Sequence, residues 1–449
     1  MDGYYAWMIV ATALVLMMTT PALALFYGGM TRSKSVLNMM MMSYTAMGVI
    51  GIVFVLWGWS MGWGGTNGAG NANGKLIANP FHLFALHHVG SDTFIYVLFQ
   101  MTFAVITAAL ISGSIADRVK LSSWIVFIVG WITFAYFPIA HNVWAGGWLY
   151  KHFPNLDYAG GTVVHINAGV AGLVLALIIG KRVGFMKDPM KPHNLTLTMI
   201  GAGLLWFGWY GFNVGSIVFT ADNAADPAKF SAQFYSETGY TFMNTTLATM
   251  AAMLAWLIVE RIVHGKATSL GAASGVVAGL VAITPSCGAV TIPGALIIGA
   301  LAGAVCSVAV GMKFKLRMDD SLDVVGVHLV GGILGALMIG LVGTNKSVTG
   351  IDGYFPAGTN GLFYGGNATL LGHQAAGVLF TIVISGVVTA VFGLLIKYTI
   401  GWRVTEEEEI DGIDFAEHGE SAYDLASGSS GGLSSSVLAP SVLKEGAHA

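Results

Sequence analysis

Two histidines stand where ionisable side chains are costly. His165 lies in GGTVVHINAG (160–169) and His328 in DVVGVHLVGG (323–332), both Val- and Gly-rich stretches apolar enough to sit inside a membrane. An ionisable group in a membrane segment is a functional candidate by default. A neutral imidazole carries one donor and one acceptor, so a facing pair can hydrogen-bond to each other and still meet a small polar molecule or relay a proton. The plainer alternative is that each ring is a buried residue satisfied by a helix carbonyl, and it loses weight when two rings are placed alike. Metal binding is not indicated: neither stretch offers an HxxxH or ExxH pair, and carboxylates are missing from the middle of the spans. No nucleophile and base pair lies within the spans, so no enzyme is expected, and no cofactor is implied.

The elements that must position these rings follow from composition. The chain has 449 residues, 55% of them hydrophobic and 10% charged, with a mean hydropathy of +0.72. A soluble domain carries about 25% charged residues, so an all-α, polytopic membrane protein is expected, with no nucleic-acid partner. Cys287 and Cys306 lack CxxC or metal-ligand spacing and imply no disulfide framework. The apolar start resembles a secretory signal around Pro21–Ala24. It lacks a basic leader and stays apolar until Arg32, so it reads as the first span.

With about 20 apolar residues per span, eleven are expected: roughly 5–28, 37–62, 93–115, 121–141, 160–180, 195–216, 239–260, 268–286, 290–311, 321–342 and 373–400. Between 268 and 311, Thr284, Pro285, Ser286 and Gly288 suit a tight turn between two helices, while a single broken helix would read similarly. With the N-terminus outside and the C-terminus inside, only Lys75, Lys151, Lys229 and Lys346 of the 20 basic residues fall outside. That is the positive-inside pattern, and an even number of spans would spoil it. Gly-rich spans such as GALIIGALAGAVCS (294–307) indicate close helix packing. The Gly- and Asn-rich loops 62–75 and 358–367 suit turns over a vestibule.

His165 and His328 fall in the fifth and tenth spans. If spans one to five and six to ten repeat, their odd number inverts one against the other, an arrangement that puts substrate sites near mid-depth. Each histidine lies a few residues inside its span from opposite sides, on the order of 10 Å deep at 1.5 Å per residue. The two rings are therefore expected to meet. Residues 1–400 form the membrane domain and 401–449 a cytoplasmic tail. In the tail, 406–425 is acidic; it is either a solvated segment or, through Ile410, Ile413, Phe415, Ala422 and Tyr423, a docked one. SGSSGGLSSS (427–436) is linker-like.

Seven motifs in order carry a resemblance: FYGGM (26–30), FQMTFA (99–104), PIAHNVWAGGWL (138–149), LDYAGGTVVHINAG (156–169), WFGWYGFNVGS (206–216), DDSLDVVGVHLVGG (319–332) and DGIDFAEHGESAYD (411–424). Together, from Tyr4 to about Leu425, they resemble the ammonium transporter family, the Amt and methylammonium permease branch of the Amt/Rh superfamily. The resemblance implies that Trp144, Phe103 and Ser216 form an external cation site whose integrity depends on Asp157. It implies that Phe103 and Phe212, with Phe99 adjacent, form an aromatic gate, and that His165 and His328 line the pore. It further implies a homotrimer in the cell membrane, NH4+/NH3 and methylammonium as substrates, and regulation by a GlnK-like PII signal protein at the tail. In isolation, Trp144 reads as an interfacial anchor and the phenylalanines as ordinary helix packing. Three functions remain open: an ammonium transporter or channel, an ammonium sensor, and an Rh-type gas channel, the last opposed by Trp144 and the DGIDFAEHG tail.

Physical chemistry gives such a site a reason. Aromatic faces attract a small cation by about 0.5–2 kcal/mol, whereas moving it intact into low dielectric costs several kcal/mol even after relaxation. Desolvation favours the uncharged form, so ammonium is expected to lose a proton near the gate and cross as ammonia. Potassium has no proton to lose.

Overall fold

The computed structural model describes residues 2–64, 74–188, 190–219, 221–344 and 359–423. Among these the chain is helical, and its only β pairings are the isolated bridges Val119–Arg403 and Val290–Gly343. Among the described residues ten helices are long and apolar enough to cross a membrane: α1 (Asp2–Met30), α2 (Val36–Gly62), α3 (Ser91–Ile115), α4 (Leu121–His152), α5 (Gly161–Ile179), α6 (Leu195–Val214), α7 (Pro227–His264), α9 (Ile292–Lys315), α10 (Val325–Val342) and α11 (Ala368–Tyr398). Between α7 and α9 runs a shorter apolar helix, α8 (Ser269–Ile283). The chain is therefore a multi-pass membrane protein. Most of loop 62–75, the start of 358–367 and the linker 427–436 lie outside the described residues.

Short polar residues start the helices where backbone N–H groups would otherwise be unpaired. Asn194 accepts from Leu197 N, Asp226 from Ala228 N and Lys229 N, Thr268 from Gly271 N, Thr291 from Gly294 N and Asn367 from Thr369 N. The Asp226–Pro227 start places the beginning of α7 twelve residues before the expected 239. Sequence hydropathy misses this first part because it is polar: Gln233 and Glu237 are buried within it. α4 likewise outruns its expected end at 141, its helix continuing through Trp144. The stretch 268–311 is two helices. Thr284–Gly288 closes a tight turn, with Ser286 N donating to Ile283 O (3.0 Å) and Ala289 N to Ser286 O (2.8 Å).

Small residues govern the packing. A side chain at Gly299 or Gly303 of α9 would collide with the backbone of Ala248 or Ala252 of α7. The Gly-x-x-x-Gly spacing thus lets these two helices touch along their backbones.

After α11 come two short helices, α12 (Glu406–Asp411) and α13 (Ile413–His418). Carboxylates hold them. Asp414 accepts from Leu37 N (3.0 Å) and Asn38 N (2.8 Å), capping α2, and Glu417 accepts from Leu121 N (3.0 Å), capping α4. Glu409 is fully buried, accepting from Val183 N (2.5 Å) and pairing with Arg403 (2.6 Å). The tail is docked, and only partly through the apolar residues expected: Ile413 is buried and Tyr423 pairs with His193 through its hydroxyl (2.9 Å), whereas Phe415 and Ile410 are exposed.

Candidate functional site

The two histidines come together. His165 Nδ1 and His328 Nδ1 lie 3.3 Å apart, and their ring centroids are 5.3 Å apart with planes at 27°. Both are buried and line one cavity with Phe26, Leu110, Val164, Trp209, Phe212 and Val277 among its walls. His165 Nε2 has no partner although buried. One ring of a neutral pair must donate through Nδ1 and the other accept, so one Nε2 is left as a donor and the other as an acceptor. The cavity therefore offers a small amphoteric molecule one group of each kind.

Both rings sit on wide π-helical turns, Gly161–Ile166 and Val325–Leu329, a local form frequent at functional sites. An aspartate eight residues upstream caps each. Asp157 accepts from the N–H groups of Gly160 (2.9 Å), Gly161 (2.5 Å), Thr162 (2.8 Å) and Val163 (3.1 Å) and from the Thr162 hydroxyl. Gly160 has φ +112°, a conformation that favours glycine. Asp320 accepts from Val324 N (3.1 Å), Val325 N (2.8 Å) and Ser114 Oγ (2.8 Å). Burial pushes its carboxyl above the usual range, with Asp323 adding to the effect and Lys313 and these hydrogen bonds opposing it. Asp320 escaped the sequence reading, although the repeated Asp-to-His spacing of eight was there to find.

Towards the Asp157 end, aromatic rings close the cavity. Phe103 and Phe212 stack face to face at 4.0 Å and 10°, with Phe99 at 4.9 Å from Phe103. Phe212 is 6.2 Å from the His165 ring. On the other side of the pair, Trp144 meets Phe103 edge-on at 6.0 Å and 79°. The indole Nε1 of Trp144 donates to the Asp157 carbonyl (2.7 Å). The Asp157 carboxylate faces the helix start, so its part in this site is to position Trp144 and His165. Ser216 Oγ donates to Phe212 O (2.7 Å), which leaves its lone pairs to accept. Trp209, also unforeseen, stacks on His165 at 5.4 Å and 20°, its Nε1 held by Thr284 Oγ1 at 2.8 Å. No periodicity marks it out from the other tryptophans.

The Ammonium Transporter Family model matches residues 6–423. The chain is 48% identical to an ammonium transporter of Mycobacterium tuberculosis, over 99% of this chain and 94% of that one. The chain belongs to the ammonium transporter family. An Aquifex aeolicus member is 44% identical over 94% of both chains. Among solved structures, Saccharomyces cerevisiae Mep2 superposes with a TM-score of 0.80 at 32% identity, over 95% of this family member and 92% of Mep2. A structure titled Sensor Amt Protein matches with a TM-score of 0.79 at 27% identity, over 92% and 98% of the two chains. Family membership makes this a membrane transport protein, not an enzyme.

Proposed function

We propose that this chain takes up ammonium across the cell membrane. Ammonium is recruited against Trp144, Phe103 and the Ser216 hydroxyl, loses a proton at the Phe103–Phe212 gate, and passes as ammonia along the paired histidines. Methylammonium takes the same route. The observation that carries this reading is the shared cavity in which His165 and His328 stand 3.3 Å apart with a buried Nε2 left open. The stacked phenylalanines above it leave no width for a hydrated ion, and an ion stripped of water would meet a cost of several kcal/mol beyond them. Imidazoles in contact can also hand on the released proton, which makes transport electrogenic.

The architecture belongs to the same proposal. It has eleven spans counting α8, two inverted halves (α1–α5 and α6–α10), an external N-terminus and a cytoplasmic tail from 401 onward. Three copies associate with a pore in each, and a PII signal protein acts at the tail. A free tail would need no such contacts; the caps that Asp414 and Glu417 give to α2 and α4 support a regulatory role. The same docking favours a second reading, an ammonium sensor that reports occupancy through its tail.

Solid-supported membrane electrophysiology on purified protein tests both. Ammonium pulses are expected to give transient currents that potassium pulses do not, and Trp144→Ala to weaken the ammonium response. His165→Ala is expected to change the current or its ion selectivity. Wild-type protein that gives neither current nor ammonia flux overturns the transport reading and leaves the sensor.

A further inference from the structure

In the recruitment role proposed above the cation meets the face of Trp144, and the contacts already described fix that indole at few points. Its Nε1 is tied to the Asp157 carbonyl, and Phe103 meets it edge-on. A ring held at one hydrogen bond can still swing about it. Cation–π attraction depends on the ion lying over the ring within about 6 Å of its centroid, so a swing of the indole moves the site.

Trp63, just past the end of α2, stands against that ring at 6.5 Å and 31°. Trp63 is 4% exposed while Trp144 is partly open. Trp63 is itself clamped. It lies parallel to Trp59 at 5.4 Å and 8°, with Phe54 at 5.7 Å. Trp59 in turn meets Tyr96 edge-on at 5.9 Å and 85°, and the Tyr96 hydroxyl accepts from Gln100 Nε2 (3.1 Å). Tyr96 and Gln100 are on α3, the helix that carries Phe99 and Phe103. A rigid aromatic wall is thus built from the end of α2 onto the gate helix, and Trp144 rests against it.

We infer that Trp63 is a positioning residue for ammonium recruitment: it fixes the attitude of the Trp144 indole and thereby sets how tightly the ion is held before the gate. The inference rests on the recruitment role proposed for Trp144. It requires the tryptophan at 63 to act on affinity and selectivity, where mere packing would act on stability alone.

The test is the half-saturating ammonium concentration and the maximal current of purified protein in proteoliposomes, for wild type, Trp63→Leu, Trp63→Phe and Trp144→Leu. Trp63→Leu is expected to raise half-saturation about 3- to 10-fold while the maximal current per protein stays within about twofold. Trp63→Phe, which keeps an aromatic face, is expected to recover most of the affinity. An unchanged half-saturation in Trp63→Leu overturns the inference, as does a fall in maximal current alone or a Trp63→Phe variant no better than the leucine. If the leucine variant does not fold, the phenylalanine variant decides: a rise of about twofold at constant maximum supports the inference, and no rise overturns it. Trp144→Leu separates the two levels. If it leaves half-saturation unmoved, the recruitment reading itself fails; if it raises half-saturation and the Trp63 variants do not, only the role of Trp63 falls.

Discussion

The two histidine helices solve one problem in different surroundings. Each begins in a wide turn, and each is capped by an aspartate eight residues before its imidazole. Asp157 is satisfied by four backbone N–H groups and a hydroxyl from the very segment it caps. Asp320 is embedded in charge. Lys313 donates to its carbonyl, and its neighbour Asp319 lies beside Arg118 and Arg182, with Arg182 N donating to Asp319 Oδ2 (2.8 Å). One residue further, Val183 N is taken by Glu409 of the tail. The His165 half is thus fixed by its own backbone, whereas the His328 half is wired to the tail through two loops. Local capping holds the His165 end by itself, and the charged network joins the His328 end to the docked tail.

The strongest blow to this contrast is removal of the caps. Asp157→Ala leaves four buried N–H groups without an acceptor, at about 1–3 kcal/mol for each that finds no other partner. It is expected to abolish transport and lower the unfolding temperature by more than Asp320→Ala, which orphans two. Thermal unfolding in detergent beside uptake assays checks the order, and equal losses would erase the difference between the halves. Next comes Glu409→Gln, which leaves Arg403 without its charge partner. Faster proteolysis of the tail is expected, with half-saturation for ammonium unchanged because the Trp144 end is fixed locally. A shift in half-saturation as large as that of Trp144→Ala would show the two ends to be equally wired. Asp414→Asn should cost about 1 kcal/mol of the cap on α2, visible as faster hydrogen exchange at Leu37 and Asn38.

The smallest effect is one of pH. Hydrogen bonds from the Thr405 N–H and hydroxyl hold Glu408 below its usual carboxylate range. A carboxylate depressed in the folded state stabilises above its unfolded pKa, about 4.3, and loses that contribution as pH falls through the lower folded value. Tail protection against protease should therefore weaken below about pH 4, and Glu408→Gln should flatten that dependence.

Much of this was legible in the chain because lipid imposes strong rules. Apolar runs locate the helices, and the cost of an imidazole in such a run picks out His165 and His328 from the sequence alone. The same rule hid what obeys it less. The polar first turns of α7 read as loop, since Gln233 and Glu237 find their partners only in three dimensions, in Asn223 and Tyr158. In the tail, Ile413 and Tyr423 dock as their apolar character suggests, but much of the hold comes from Glu409, Asp414 and Glu417, whose carboxylates look like solvated charge until backbone N–H groups are brought to them. Asp320 is masked by the acidic neighbours Asp319 and Asp323, while Asp157 enters only through the family resemblance.

The hydroxyl at position 216 has already spent its hydrogen on the Phe212 carbonyl in the last turn of α6. A visitor must therefore bring every hydrogen needed for that handshake. Ammonium arrives with four and methylammonium with three, whereas tetramethylammonium, equally charged and equally drawn to an indole, arrives with none. In the recruitment site proposed above, guests would be ranked by what they can give before the gate asks for a proton back.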